Sequence, residues 1–186
     1  MRYVIGVFGL IFVTIIAIVM IGRGGNQSSQ QQGKKLVTVT DYADRDSVVS
    51  HTTQGRLVGN DTYKSIRITV NQSERRIELL SGYDNSVERA QSYPNTSEAY
   101  KNFIYALATA GFSREKDSAF KDEKGVCPQG KRVTYTLRES DKDVVRLWST
   151  SCGRGQGNFG GDYGIVRQLF QDQITDYSKF VSGVRL

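Results

Sequence analysis

Hydrophobic positions follow two different patterns along this chain. From Val4 to Ile21 they run without interruption: 18 residues with no charge, no proline and no amide side chain. At about 1.5 Å of rise per residue, a helix of that length covers about 27 Å, close to the hydrocarbon thickness of a bilayer. Gly22 to Gly33 then contains no apolar side chain at all. Such a Gly/Ser/Gln-rich stretch predicts a flexible tether, because it has nothing to bury in return for the entropy of ordering. Beyond it, apolar residues alternate with polar ones. The division expected is an anchor at 1–22, a linker at 23–35 and a folded domain at 36–186.

Within the domain the spacing predicts strands and helices in turn. Leu36–Thr40 is rich in β-branched residues and reads as a strand, interrupted by Asp41–Asp46. Ile66, Ile68 and Val70 share one face, with Arg67 and Thr69 on the other. Ile77 and Leu79 resume this period after a turn at Asn71–Glu74, and Ser86–Tyr93 follows a turn at Asp84-Asn85. These segments predict an antiparallel meander with one dry and one wet face. Asn95 is then the expected N-cap of a helix, with Glu98 completing a capping box. Tyr100, Phe103, Ile104, Leu107 and Ala108 form its apolar stripe, and Gly111 fits the position just past its end.

The second half repeats the arrangement. Val133, Tyr135 and Leu137 alternate with threonines and Arg138, Val145 and Leu147 alternate with Arg146 and Trp148, and Ser140-Asp141-Lys142 lies between. This is a hairpin pattern. A last helix starts at Asp162 and carries Ile165, Val166, Leu169, Phe170, Ile174 and Tyr177, with Phe180 and Val181 extending it. The fold class expected is α+β: an N-terminal transmembrane helix, then an antiparallel sheet of meander plus hairpin with two amphipathic helices on one face.

The two cysteines take their meaning from the hairpin. Cys127 lies before its turn and Cys152 after it, at nearly equal distances. Residues equidistant from a turn face each other across an antiparallel pair, at the Cα separation a disulfide needs. A bridge is expected, and with it an oxidising compartment; two free thiols are the alternative.

Charge refines the picture of the anchor. The net charge is +6, from 25 Lys+Arg against 19 Asp+Glu. Arg2, Arg23, Lys34 and Lys35 all precede Asp41, so the excess flanks the apolar run and the domain is nearly balanced. That placement fits anionic lipid headgroups and argues against nucleic acid as a partner. A cleaved signal would carry a shorter run and small residues at its cleavage site; a core helix would not be apolar all round. Arg2 and the amino terminus ahead of the run favour an inside N-terminus and an outside domain, with Lys34 and Lys35 weighing the other way.

Candidate chemistry is sparse. Three widely separated Cys/His residues do not make a zinc site. His51 reads as a surface or strand-end histidine. Asp41, Asp44 and Asp46 lack the spacing of a calcium loop and read as a solvated turn. Gly155-x-Gly157-x-x-Gly160 matches a dinucleotide fingerprint, but no second parallel strand follows it. A mobile loop is the simpler reading, with an anion held by Arg154 and the backbone of Gly155, Gly157 and Gly160 as the alternative. No catalytic set, metal or cofactor is implied.

The charged tip, apolar run and Arg-Gly-Gly exit resemble membrane-anchored proteins of ultrasmall, epibiotic Saccharibacteria-type bacteria. Cys127-Pro128-x-Gly130, then Leu147 to Gly153 and the Leu169-Phe170 helix, are similar to uncharacterised envelope proteins of that group. The resemblance spans roughly a third of the chain. It implies a location and carries over no catalytic residue.

The function expected is a membrane-anchored, extracytoplasmic binding or structural module of the cell envelope. Its partners would be the bilayer through Val4–Ile21 and another envelope protein or a surface polymer. An envelope hydrolase and an accessory subunit of a membrane assembly are the alternatives.

Overall fold

Strand β1, Ser47–Gln54, lies at the centre of a six-stranded sheet in a computed structural model that describes residues 37–153 and 156–186. The proposed anchor and linker lie outside the described residues. The other strands are β2 (Lys64–Val70), β3 (Glu74–Ser81), β4 (Ser86–Pro94), β5 (Arg132–Glu139) and β6 (Lys142–Thr150). Their order is β4-β3-β2-β1-β5-β6, and every pairing is antiparallel. The meander and the hairpin are thus joined side by side through β1 and β5. Helix α1 spans Ser97–Thr109, α2 Tyr163–Asp172 and α3 Tyr177–Phe180. This is an α+β fold. No described helix is long and apolar enough to cross a membrane.

Register explains the core. Val49 pairs with Val70 and Leu137, His51 with Ile68 and Tyr135, and Ile68 with Ile77. Because side chains alternate, all of these lie on one face. The same buried cluster holds Tyr100, Phe103, Ile104 and Leu107 of α1 with Val166 and Phe170 of α2. Burying a large apolar side chain contributes about 1.5–3 kcal/mol, so this one face supplies most of the stabilising burial.

Several local expectations are met by specific contacts. Helix α1 ends with Gly111 at φ +76; Gly111 N–H donates to Ala108 O and Phe112 N–H to Leu107 O, both at 3.0 Å. Asp162 caps α2, accepting from Ile165 N–H at 2.9 Å. Asn71 closes the β2–β3 turn by accepting from the N–H groups of Ser73 and Glu74. Ser140 and Asp141, both at positive φ, make the two-residue turn that matches strand twist.

Other expectations are corrected. Val39–Tyr42 is a turn of 3-10 helix, not a strand: Val39 and Ala43 sit in the core, and this segment pairs with no strand. The cap of α1 is Thr96, whose hydroxyl accepts from Ala99 N–H, while Asn95 instead donates to Asn71 O. The C-terminal helix is not continuous. It stops at Asp172, and Ile165 on α2 is exposed.

Gly157, Gly160 and Gly161 are packing glycines. Phe159 N–H donates to Trp148 O and Gly160 N–H to Arg114 O, while Asn158 accepts from Trp148 N–H. The segment therefore covers the β6 edge at Trp148, where both backbone groups would otherwise be unpaired. Gly157 has φ +104, and a Cβ there would collide with the backbone of Trp148 and Ser149. Gly157→Ala is expected to lower stability by about 2–3 kcal/mol, read as a shifted urea midpoint with unchanged slope.

Candidate functional site

The second face of the sheet is built from the residues between the core positions. One row crosses it as Glu78, Arg67, Thr52, Thr134 and Trp148, and the next as Arg76, Thr69, Ser50, Thr136 and Arg146. Neither α1 nor α2 belongs to this face; their buried residues join the other one. Two loops close its lower part. Val126 and Cys127 pack on Trp148, and Glu123 accepts from Arg146 at 2.5 and 3.1 Å. Burial pulls the Glu123 carboxyl up, but Arg146 outweighs it and holds the group below its usual range. Leu57 N–H donates to Pro128 O at 2.8 Å, joining the 55–63 loop to the loop that carries Cys127.

The upper part stays open as a groove of about 730 Å³, lined by Val48, Ser50, Thr52, Arg67, Thr69, Arg76, Glu78, Thr136, Arg138, Asp141 and Asp143. Its floor is hydroxyl-rich, with Ser50 and Thr136 in mutual hydrogen bond at 2.5 Å. At one end Glu78 accepts from Arg67 Nε at 2.7 Å and from Arg76 Nε at 3.0 Å. Burial raises the Glu78 carboxyl, yet the two guanidiniums prevail and keep it below the ordinary carboxylate value. It therefore stays ionised at neutral pH and fixes both arginine planes. Arg76 also donates to Ser92 Oγ at 3.2 Å and has Glu74 at 4.0 Å. The terminal nitrogens of Arg67 have no partner among the described residues. At the other end Arg138 lies between Asp141 at 3.4 Å and Asp143 at 3.3 Å.

The residues singled out from the sequence fall elsewhere. Cys127 and Cys152 do come together, at a Cα separation of 5.6 Å, as a disulfide just beyond the Arg132–Thr150 end of the hairpin. Arg154 and Gly155 lie outside the described residues. Gly157 and Gly160 are in the strap along β6, where the Gly160 N–H already has its acceptor. His51 is neither at the surface nor at a strand end: it is 3 % exposed in the middle of β1, ringed by Tyr135 and Phe170. In that position it has no access to a substrate. Asp44 pairs with Lys101 at 2.9 Å, and no group of three or more His, Cys, Asp or Glu able to hold a metal is found among the described residues.

In the sequence, Arg67 and Glu78 are polar positions alternating with apolar ones on separate strands. Their convergence with Arg76, Arg138 and Asp143 depends on register across five strands, which no local pattern carries.

Comparison with protein-family models finds no match for this chain, and comparison with curated proteins finds no similar sequence.

Proposed function

We propose that this chain is a single-pass, membrane-anchored module that presents a ligand-binding sheet face outside the cytoplasm. The reading rests on one observation above the others. Helices cover one face of the sheet, loops close the lower part of the second, and what stays open is a groove with charges already fixed in place. Three features support the location: the 18-residue apolar run, the polar tether after it, and the paired cysteines. The groove partner would be another envelope protein or a surface polymer. A hydrolase is disfavoured because His51 is walled into the core and Glu78 and Glu123 are each held by arginine. Nucleic acid is disfavoured because Asp141 and Asp143 would face its phosphates.

Fractionation of native cells tests the placement. The full-length chain should enter the membrane fraction and leave it only with detergent. An impermeant amine reagent applied to intact cells should label lysines of the domain. An uncut soluble product, or an unlabelled domain, overturns the placement. Cross-linking in intact cells tests the face: an adduct seen with the wild type should be lost in Arg67→Gln/Arg138→Gln. An adduct that persists in the variant overturns the groove as the binding surface.

A further inference from the structure

We propose that the groove takes a short, extended peptide carrying both charges, its carboxylate on Arg67 and Arg76 and its ammonium group at Asp141 and Asp143. This rests on the reading of the open face as a binding surface and names the ligand class.

The two ends of the groove differ in what they offer. Glu78 takes the Nε of Arg67 and of Arg76, one on each carboxylate oxygen. Both guanidiniums are thereby held by their inner edges. The terminal nitrogens of Arg67 and Nη2 of Arg76 are left without an acceptor among the described residues. A carboxylate is the group that matches such a donor edge, and its fixed orientation lowers the entropy lost on binding. The far end is the reverse. One guanidinium, Arg138, sits between two carboxylates, Asp141 and Asp143, so negative charge is in excess there. A cation is favoured at that end.

Distance then selects the length. Arg67 is on β2 and Asp143 on β6, three strand spacings apart, and they are also offset along the strands: Arg67 pairs with Thr52, while Asp143 pairs with Arg138 and that with Val48, four residues away on β1. At about 4.8 Å per strand and about 3.3 Å per residue, the diagonal span is about 19 Å. An extended chain covers about 3.3 Å per residue, so about six residues bring its two termini to the two ends. Thr69, Ser50 and Thr136 lie in one row between, offering a hydroxyl at each strand for amide groups of the ligand. Among the described residues no aromatic ring lines the groove, so they do not serve a ligand held by ring stacking. A polyanion would be repelled at Asp141 and Asp143.

Titration calorimetry of the full-length chain in detergent with hexa-alanine tests this. Across oligoalanines from the dipeptide to the octapeptide, binding is expected to be tightest for the hexapeptide, with the dipeptide and tripeptide weakest. Acetylating the amino end or amidating the carboxyl end should each weaken it at least tenfold. Arg67→Gln/Arg76→Gln should abolish the sensitivity to amidation alone, and Asp141→Asn/Asp143→Asn the sensitivity to acetylation alone. The aspartate pair is exposed, so that variant tests one end even if the arginine variant misfolds. No binding at about millimolar peptide, or capping effects that neither variant moves, overturns the proposal. Failure here with loss of the cross-linked adduct in Arg67→Gln/Arg138→Gln overturns the peptide class only; failure here with an adduct that persists in that variant overturns the surface reading as well.

Discussion

Replacing Cys127 and Cys152 together by alanine should lower the unfolding free energy by about 3.5 kcal/mol. The figure follows from chain entropy for a bridge with a sequence separation of 25. The loss should appear as a lower denaturant midpoint, and reducing the wild type with a thiol should reproduce it. The bridge does more than close the hairpin end. Cys127 belongs to the loop that closes the lower part of the open face, and with Val126 and Trp148 it makes a small second core. Trp148 is the protein's one tryptophan and is 1 % exposed. Loss of the bridge should therefore move its emission to longer wavelength before the sheet unfolds. Cys127 also sits at φ +54, a conformation that costs a non-glycine residue about 1–2 kcal/mol. A Cys127→Gly/Cys152→Ala variant should therefore be more stable than the double alanine by about 0.5–1 kcal/mol. Unchanged midpoint and unchanged emission after reduction would remove the bridge from this account.

The difference between what was legible and what was not is physical. The bridge was legible because a hairpin is local: turn, alternation and equal spacing are all within 30 residues. So were α1 and its glycine end, where periodicity and Gly111 agree, although its N-cap is Thr96, one residue past the expected Asn95. The central strand β1 was not. Its sequence places Ser47 and His51 at buried positions, so apolar periodicity breaks down where burial is greatest. Ser47 is tolerated there because its hydroxyl bonds Tyr42 O and the Tyr100 hydroxyl, each at 2.8 Å. The strand expected at Leu36–Thr40, of which Val37–Thr40 is described, differs in the opposite sense. Its β-branched residues favour a strand, but β2 and β5 already occupy both edges of β1, and the segment packs Val39 under α1 instead. The groove was illegible for the same reason as β1. It exists only once β1 brings β2 and β5 to either side of Ser50 and Thr52.

His51 should set the acid limit of this fold. Its ring is buried between Tyr135 and Phe170, each 5.4 Å away between centroids, and Nε2 has no hydrogen-bond partner. Burial, offset in part by its own backbone and reinforced by the Arg167 charge, brings its pKa from 6.5 down to about 4. In the unfolded chain the imidazole takes up its proton at about 6.5, so between 6.5 and 4 the unfolded state binds more protons. Stability is then full above 6.5, falls as the pH drops through this window, and levels off below 4. The gap is worth roughly 3 kcal/mol in all, of which about 2 kcal/mol should be lost between pH 7 and pH 5. Glu78 and Glu123 also titrate below their ordinary values, but most of their losses come below pH 5, since the unfolded carboxylates are half protonated only at about 4.5. The interval from pH 7 to 5 therefore isolates the histidine. His51→Leu should keep its pH 7 stability within about 1 kcal/mol, because it removes an unsatisfied nitrogen along with two ring contacts. Between pH 7 and 5 it should lose less than about 0.5 kcal/mol where the wild type loses about 2. Parallel curves for the two proteins would show that another group carries the acid sensitivity. Divergent curves would place it at His51, at the centre of the strand that holds meander and hairpin together.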